Sequence, residues 1–275
     1  MADSIRPEAE SPSPSVFTSD LPLDARPGYR TLTLRDDGLD FPGFADAAAS
    51  CRSRRARLRL IDQGRFSPSE LEWLAEAGAD IYTSDKAGRT VAELVLIRKA
   101  GARGSARTAF FQHGPLDDMI LSGLREIGRA GVDIHLSSSA GPRDLGLLAD
   151  LAWDCVDAGS TFVYQHHGLL VAERAALSIR GAWIHVSSRS LASAADAELL
   201  GVCARAARAR GGSVVLHIET RPNPLVLSDL VASGAFLLFK TEISDYRSPL
   251  RPFEDAAARR RLPDRAYYLF PDHVL

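Results

Sequence analysis

The chain has 275 residues, 45% of them hydrophobic, with a formal net charge of −2 and a pI near 6.4. That length and apolar content suffice for one large α/β domain, and so even a charge balance excludes the basic excess by which nucleic-acid binders neutralise phosphates. No apolar run reaches the roughly 18 residues of a membrane span and the first residues lack the charged-then-apolar order of a secretion signal, so the sequence predicts a cytoplasmic protein with a small-molecule substrate.

Residues 1–28 include the run Glu8-Ala9-Glu10-Ser11-Pro12-Ser13-Pro14-Ser15, too poor in large apolar groups to offset the entropy of ordering, and are expected to be a disordered tail ahead of one domain over 29–275. A short strand candidate, Arg30-Thr31-Leu32-Thr33-Leu34, and a helix near Phe44 to Arg55 follow. Apolar runs bounded by glycine and cap residues then predict eight strands, near 57–62, 80–84, 108–113, 133–138, 161–166, 182–188, 213–219 and 235–241. Amphipathic helices separate them. Ser67 with Glu70 three residues on is a capping box, and Gly78 ends that helix. The stop Ala77-Gly78-Ala79-Asp80 recurs as Ala130-Gly131-Val132-Asp133. Cys51, Cys155 and Cys203 are far apart and form no Cys-x-x-Cys pair, so they read as free thiols of a reducing compartment. Arg259-Arg260-Arg261 reads as a solvated helix face.

Four pairs of strands share a pattern. Ile61-Asp62-Gln63-Gly64 goes with Ile81-Tyr82-Thr83-Ser84, Phe111-Gln112-His113-Gly114 with Ile134-His135-Leu136-Ser137, Tyr164-Gln165-His166-His167-Gly168 with Ile184-His185-Val186-Ser187, and His217-Ile218-Glu219-Thr220 with Phe239-Lys240-Thr241-Glu242. The second members step through positions 82, 135, 185 and 240, two βα units at a time. These βαβα quarter repeats predict a (β/α)8 TIM-type barrel. Two registers remain open, one from residue 31 to 219 and one from 57 to 242. The repeat favours the later register, with the first strand closing the barrel's bottom.

Strand alternation assigns the inner wall, because helix-facing positions must be apolar. With Ile134, Leu136, Ile184, Val186, Val214, Leu216 and Ile218 outward, His135, Ser137, His185, Ser187, His217 and Glu219 point inward. The same parity predicts Tyr82, Ser84, Gln112, Gln165, His167, Lys240 and Glu242 inside. Lys240 stands out, since the chain has three lysines against thirty arginines and this one follows Phe236-Leu237-Leu238-Phe239. A lysine there is either a reactive amine, a cation for an anionic substrate, or a structural partner of Glu219 or Glu242.

No Gly-x-Gly-x-x-Gly, Walker loop or Gly-x-Ser-x-Gly is present, and the loops Thr220-Arg221-Pro222-Asn223-Pro224 and Ile243-Ser244-Asp245-Tyr246-Arg247 lack the glycines of a phosphate cup. The expectation is a barrel enzyme of lyase or isomerase type acting on a small, polar, anionic metabolite. Lys240, Glu219, His185, His217, His135 and Glu242 are its candidate catalytic residues, and Gln112, Gln165, His167 and Arg221 would bind substrate. One alternative is a metal-dependent hydrolase using Asp62, His113, His167, Glu219 and Glu242, although Ile61-Asp62-Gln63 stands where His-x-His would be wanted. The other is a non-catalytic barrel binding a ligand or partner protein. The sequence names no cofactor and no oligomeric state.

Overall fold

Each predicted apolar run forms a strand and each capped amphipathic stretch a helix in the computed structural model, which describes residues 31–138, 144–167, 176–220, 222–240 and 267–270. The expected tail falls outside those residues, as does Arg259-Arg260-Arg261. The strands are β1 (Thr31–Arg35), β2 (Arg57–Ile61), β3 (Asp80–Ser84), β4 (Thr108–Gln112), β5 (Asp133–Ser137), β6 (Phe162–His166), β7 (Trp183–Ser187), β8 (Ser213–Ile218), β9 (Phe236–Lys240) and β10 (Tyr267–Phe270). Between them lie α1 (Phe41–Ser53), α2 (Pro68–Glu76), α3 (Val91–Gly104), α4 (Asp118–Arg129), α5 (Leu145–Asp157), α6 (Ala194–Arg208) and α7 (Pro224–Ala232).

The caps explain the helix starts. Ser67 with Glu70, Thr90 with Glu93 and Ser193 with Asp196 each make the reciprocal capping box, which satisfies two otherwise orphaned backbone N–H groups. At the other ends, Gly78 at φ +100° and Gly131 at φ +93° turn the chain back through a conformation that a Cβ disfavours. The aspartates that follow fasten the strand starts to their neighbours. Asp80 Oδ1 accepts from the backbone N–H of Arg107 at 2.8 Å and Asp133 Oδ1 from that of Thr161 at 2.7 Å.

All ten strands form one sheet in the order β1 to β10, and every pairing is parallel. A crossover between parallel strands is right-handed in nearly all proteins, so a sheet that always advances in one direction sends its helices to one face. That face carries the main apolar core, including Phe110, Ile134, Leu136, Phe162, Ile184, Val186, Leu216 and Ile218, each such burial contributing roughly 1.5–3 kcal/mol. The helix-free face is nevertheless shut away from solvent. Val163 and Val215 there are 0% exposed, His135 2% and Trp183 9%. A flat sheet would leave those residues in water, so the sheet curls upon its own inner face, as a barrel does.

The count and the edge differ from expectation. Among the described residues ten strands are present, one more than the eight of the barrel with the extra first strand, and no ladder joins β1 to β10. The first strand does not plug the bottom of a barrel. It pairs with β2 over five residues, from Thr31 opposite Arg57 to Arg35 opposite Ile61, because its own alternation, with Leu34 packed on the α1–α2 core, matches that of a regular sheet member.

Candidate functional site

The inner wall is built from the alternate residues of the strands, and its polar members gather toward the C-terminal ends of β5, β7 and β8. Ile184 and Val186 are tied into the helix-side core, which turns His185 and Ser187 inward. Val214, Leu216 and Ile218 do the same for β8, leaving His217 and then Glu219 on the inner side. Strand stagger brings His185 Nδ1 to 3.1 Å from His217 Nε2. Which ring donates across this contact is set by the tautomers of the two imidazoles. One strand position higher, Ser187 Oγ donates to Glu219 Oε2 at 2.7 Å, and Arg189 Nε lies 3.4 Å from the same oxygen. Glu219 is therefore an oriented carboxylate, with the Ser187 hydroxyl and the exposed Arg189 guanidinium among its partners.

His135 sits deeper. Its ring stacks on Phe111, centroids 4.2 Å apart and planes 24° from parallel, and among the described residues neither ring nitrogen has a hydrogen-bond partner. Burial, reinforced by His185, pushes its pKa down to about 3, so the ring is neutral at ordinary pH. Leaving such groups unmatched costs about 1–3 kcal/mol each. At the rim, His167 Nε2 lies 2.9 Å from Ser137 Oγ, and its enclosure lowers its pKa, with His166 adding to the effect and Glu219 opposing it.

A shared device sets the loops that follow the even-numbered strands. Asp36 Oδ2 accepts from the backbone N–H groups of Gln63 and Arg65, Asp85 Oδ2 from those of His113 and Gly114, Ser138 Oγ from that of His167, and Ser188 Oγ from those of Glu219 and Thr220. In each case a short polar side chain just past one strand holds the chain leaving the next. Ser188 and Arg189 are the site residues that sequence reasoning missed. Their only signal was the Ser187-Ser188-Arg189 run directly after a strand whose inner positions are polar.

Two expectations are corrected. Gln112 does not face the interior: it shares alternation with Phe110 of the helix-side core, whereas Ala109 and Phe111 join Tyr82 in the inner cluster. Its Nε2 donates to Asp85 Oδ2 and to the Gly114 carbonyl, both at 3.2 Å. Asp62 is likewise committed elsewhere. It accepts from Arg89 Nε at 2.8 Å and Nη2 at 2.6 Å, from Thr83 Oγ1 at 2.7 Å and from the Gly64 backbone N–H at 2.9 Å, which uses the lone pairs a metal would need. Among the described residues no group of three His, Cys, Asp or Glu side chains is placed to hold a metal ion.

Of the remaining candidates, Gln165 is half-buried in register with His185. Lys240 is the last residue of β9 and pairs with Phe270 of β10. Since Ile218 lies opposite Phe239, position 240 falls abreast of position 219. Arg221, Glu242 and Arg247 lie outside the described residues.

Neither a protein-family model nor a curated protein matches this chain. Solved structures similar to it include the phospho-2-dehydro-3-deoxyheptonate aldolase of Thermotoga maritima, 14% identical over 85% of this chain and 70% of that one, with a TM-score of 0.34. The 3-keto-L-gulonate-6-phosphate decarboxylase of Vibrio cholerae is 11% identical over 83% and 85%, TM-score 0.36. The N-acetylneuraminic acid synthetase of Leptospira borgpetersenii is 13% identical over 90% and 73%, TM-score 0.34. At these values no residue of those proteins is matched to one of this chain, and the account of the fold rests on strand order and the buried inner wall.

Proposed function

We propose that this chain is a barrel enzyme that acts on a small, polar, anionic metabolite by acid–base or lyase-type chemistry. The observation that carries the reading is the joint placement of His185, His217, Ser187 and Glu219 on the inner side of two adjacent strands, at the end where barrel enzymes keep their sites. Glu219 is the general base. The Ser187 hydroxyl fixes the orientation of its carboxylate through Oε2. His217 stands one inner position beneath it, and its hydrogen bond to His185 lets a proton gained or lost at the wall be shared between two rings rather than held as an isolated buried charge.

Lys240 supplies the cation or the amine, being one of only three lysines and falling abreast of position 219. With Arg189 and Arg221 it provides the positive charge that an anionic substrate calls for. His167 and Gln165 are neutral groups for orienting it. The metal-dependent hydrolase reading is weakened by the loss of Asp62 to Arg89. A reducing, cytoplasmic setting is supported by three free, buried cysteines, and among the described residues no helix is long and apolar enough to cross a membrane.

A thermal-shift screen of the purified chain against small carboxylates and phosphates tests the reading. Ligands that raise the melting temperature of the wild type should do so weakly or not at all with Lys240→Ala. With Glu219→Gln they should still bind, while turnover is lost. Borohydride trapping with a carbonyl ligand separates the two roles of Lys240, since only an amine that forms a Schiff base is covalently captured. A screen in which no anion shifts the wild type would sink the proposal.

A further inference from the structure

We infer that His135 is a ligand-binding residue whose ring nitrogens are completed by an uncharged oxygen of the bound substrate, so that the substrate is a hydroxylated acid lying with hydroxyls inward and its charged end at the rim. This rests on the function proposed above and narrows its substrate class.

Three features of the wall lead there. The His135 ring is held in place, stacked on Phe111 and carried on a strand whose register fixes it opposite Phe111 and Val163. Its immobility means that the missing partner must come to it. The polar side chains around it have found partners: His185 is bonded to His217, Ser137 to His167 and Ser187 to Glu219. His135 alone of the inner-wall histidines has two nitrogens with none among the described residues. A core histidine kept only for packing would be expected to hydrogen-bond at least once, as His185 does.

The chemistry of the partner follows from the chemistry of the ring. A neutral imidazole offers one N–H donor and one bare nitrogen acceptor. A hydroxyl matches either edge and a carbonyl oxygen matches the N–H edge. An anion is opposed in this enclosure, because burial disfavours charge and holds the ring itself neutral. The positions above continue the theme with Ser137, Gln165 and Ser187, all neutral donor–acceptor groups, and Glu219 and Arg189 bring formal charge at the rim. Arg59 is a second, buried charge on the inner side of β2, with its guanidinium over the Tyr82 ring. Neutral hydrogen-bonding groups leading up to a charged rim fit a polyhydroxylated chain ending in a carboxylate or phosphate.

The test uses the full chain labelled with 15N-histidine, and three probes: D-gluconate, hexanoate, which has the same chain length and charge without hydroxyls, and sorbitol, which has hydroxyls without charge. Gluconate is expected to raise the melting temperature, to move the His135 ring resonances in long-range 1H–15N spectra, and to bind at least tenfold more tightly than either other probe. His135→Phe should melt at or above the wild-type temperature without ligand, bind hexanoate as wild type does, and lose at least tenfold in gluconate affinity. Hexanoate binding as tightly as gluconate would overturn the inference and leave an anion-binding barrel. So would gluconate binding that leaves the wild-type His135 resonances unmoved. A His135→Phe variant that unfolds or melts well below wild type would mean that the ring is already partnered in the free protein, by water for instance, and would overturn it too. Failure of every anion to bind would remove the proposed function itself.

Discussion

Arg89 grips Asp62 through two hydrogen bonds, 2.8 Å from Nε to Oδ2 and 2.6 Å from Nη2 to Oδ1, in a setting where the side chains are 7% and 0% exposed. The guanidinium has a second duty, since Nη2 also donates to the Phe66 carbonyl at 2.7 Å. The pair thus joins the end of β2, the loop before α2 and the start of α3. Arg89→Ala leaves a buried carboxylate without its cation and should destabilise the fold by about 3–5 kcal/mol. Arg89→Lys, which keeps the charge but not the fork, should lose less. Urea unfolding of the three proteins checks this, and a wild-type midpoint in Arg89→Ala would show that the pair is not holding the loop.

The same pair marks how far the sequence could be read. The parity of Arg57-Leu58-Arg59-Leu60 already puts Asp62 on the helix side with Leu58 and Leu60, but nothing local points to a partner 27 residues ahead. His135, His185, His217 and Glu219 were assigned to the inner wall because their flanking residues are branched aliphatics with one clear outward parity. Gln112 was misassigned where that cue fails: Phe110 and Phe111 are adjacent, so either parity of β4 offers an aromatic to the core. β10 was missed because Tyr267-Tyr268-Leu269-Phe270 is short and shows no alternation of apolar and polar residues. The His185–His217 contact depends on the stagger of two strands, which no alternation rule supplies.

The His185–His217 hydrogen bond predicts a signed double-mutant cycle. His185→Leu removes the hydrogen bond made at His217 Nε2, and His217→Leu the one made at His185 Nδ1, each costing about 1–3 kcal/mol. In the double variant both polar groups are gone, so the loss should fall well short of the sum of the singles. Strict additivity in denaturant unfolding would mean that the two rings are not coupled.

The depressed pKa of His135 fixes the sign of a pH effect. The ring is neutral in the folded chain down to about pH 3 but takes a proton near pH 6.5 when unfolded. The unfolded state therefore binds the extra proton below 6.5, and this residue's contribution to stability falls as pH drops from there toward 3. The loss should be about 2 kcal/mol by pH 5. Acid exposes other groups as well, so the comparison is with His135→Phe: its stability should decline less between pH 7 and pH 5 by that amount. Parallel declines in the two proteins would place the folded pKa near its ordinary value.

Ser188 gives a prediction with a local readout. Its Oγ accepts from the backbone N–H of Glu219 at 2.9 Å and of Thr220 at 3.0 Å, and lies 2.8 Å from Thr220 Oγ1. Glu219 is thus held at its backbone by Ser188 and at its carboxylate by Ser187, residues adjacent on the end of β7. Ser188→Ala removes the backbone acceptor without touching the carboxylate contact. The loss should be about 1–2 kcal/mol, and amide exchange at 219 and 220 should quicken roughly tenfold or more, since 1.4 kcal/mol corresponds to a factor of ten. The equivalent amides of Gln63, Arg65, His113, Gly114 and His167 depend on Asp36, Asp85 and Ser138 and should keep their wild-type rates. If all of these amides quicken together, Ser188 supports the sheet as a whole. If only 219 and 220 do, the backbone that carries the proposed general base is held locally by the Ser188 hydroxyl.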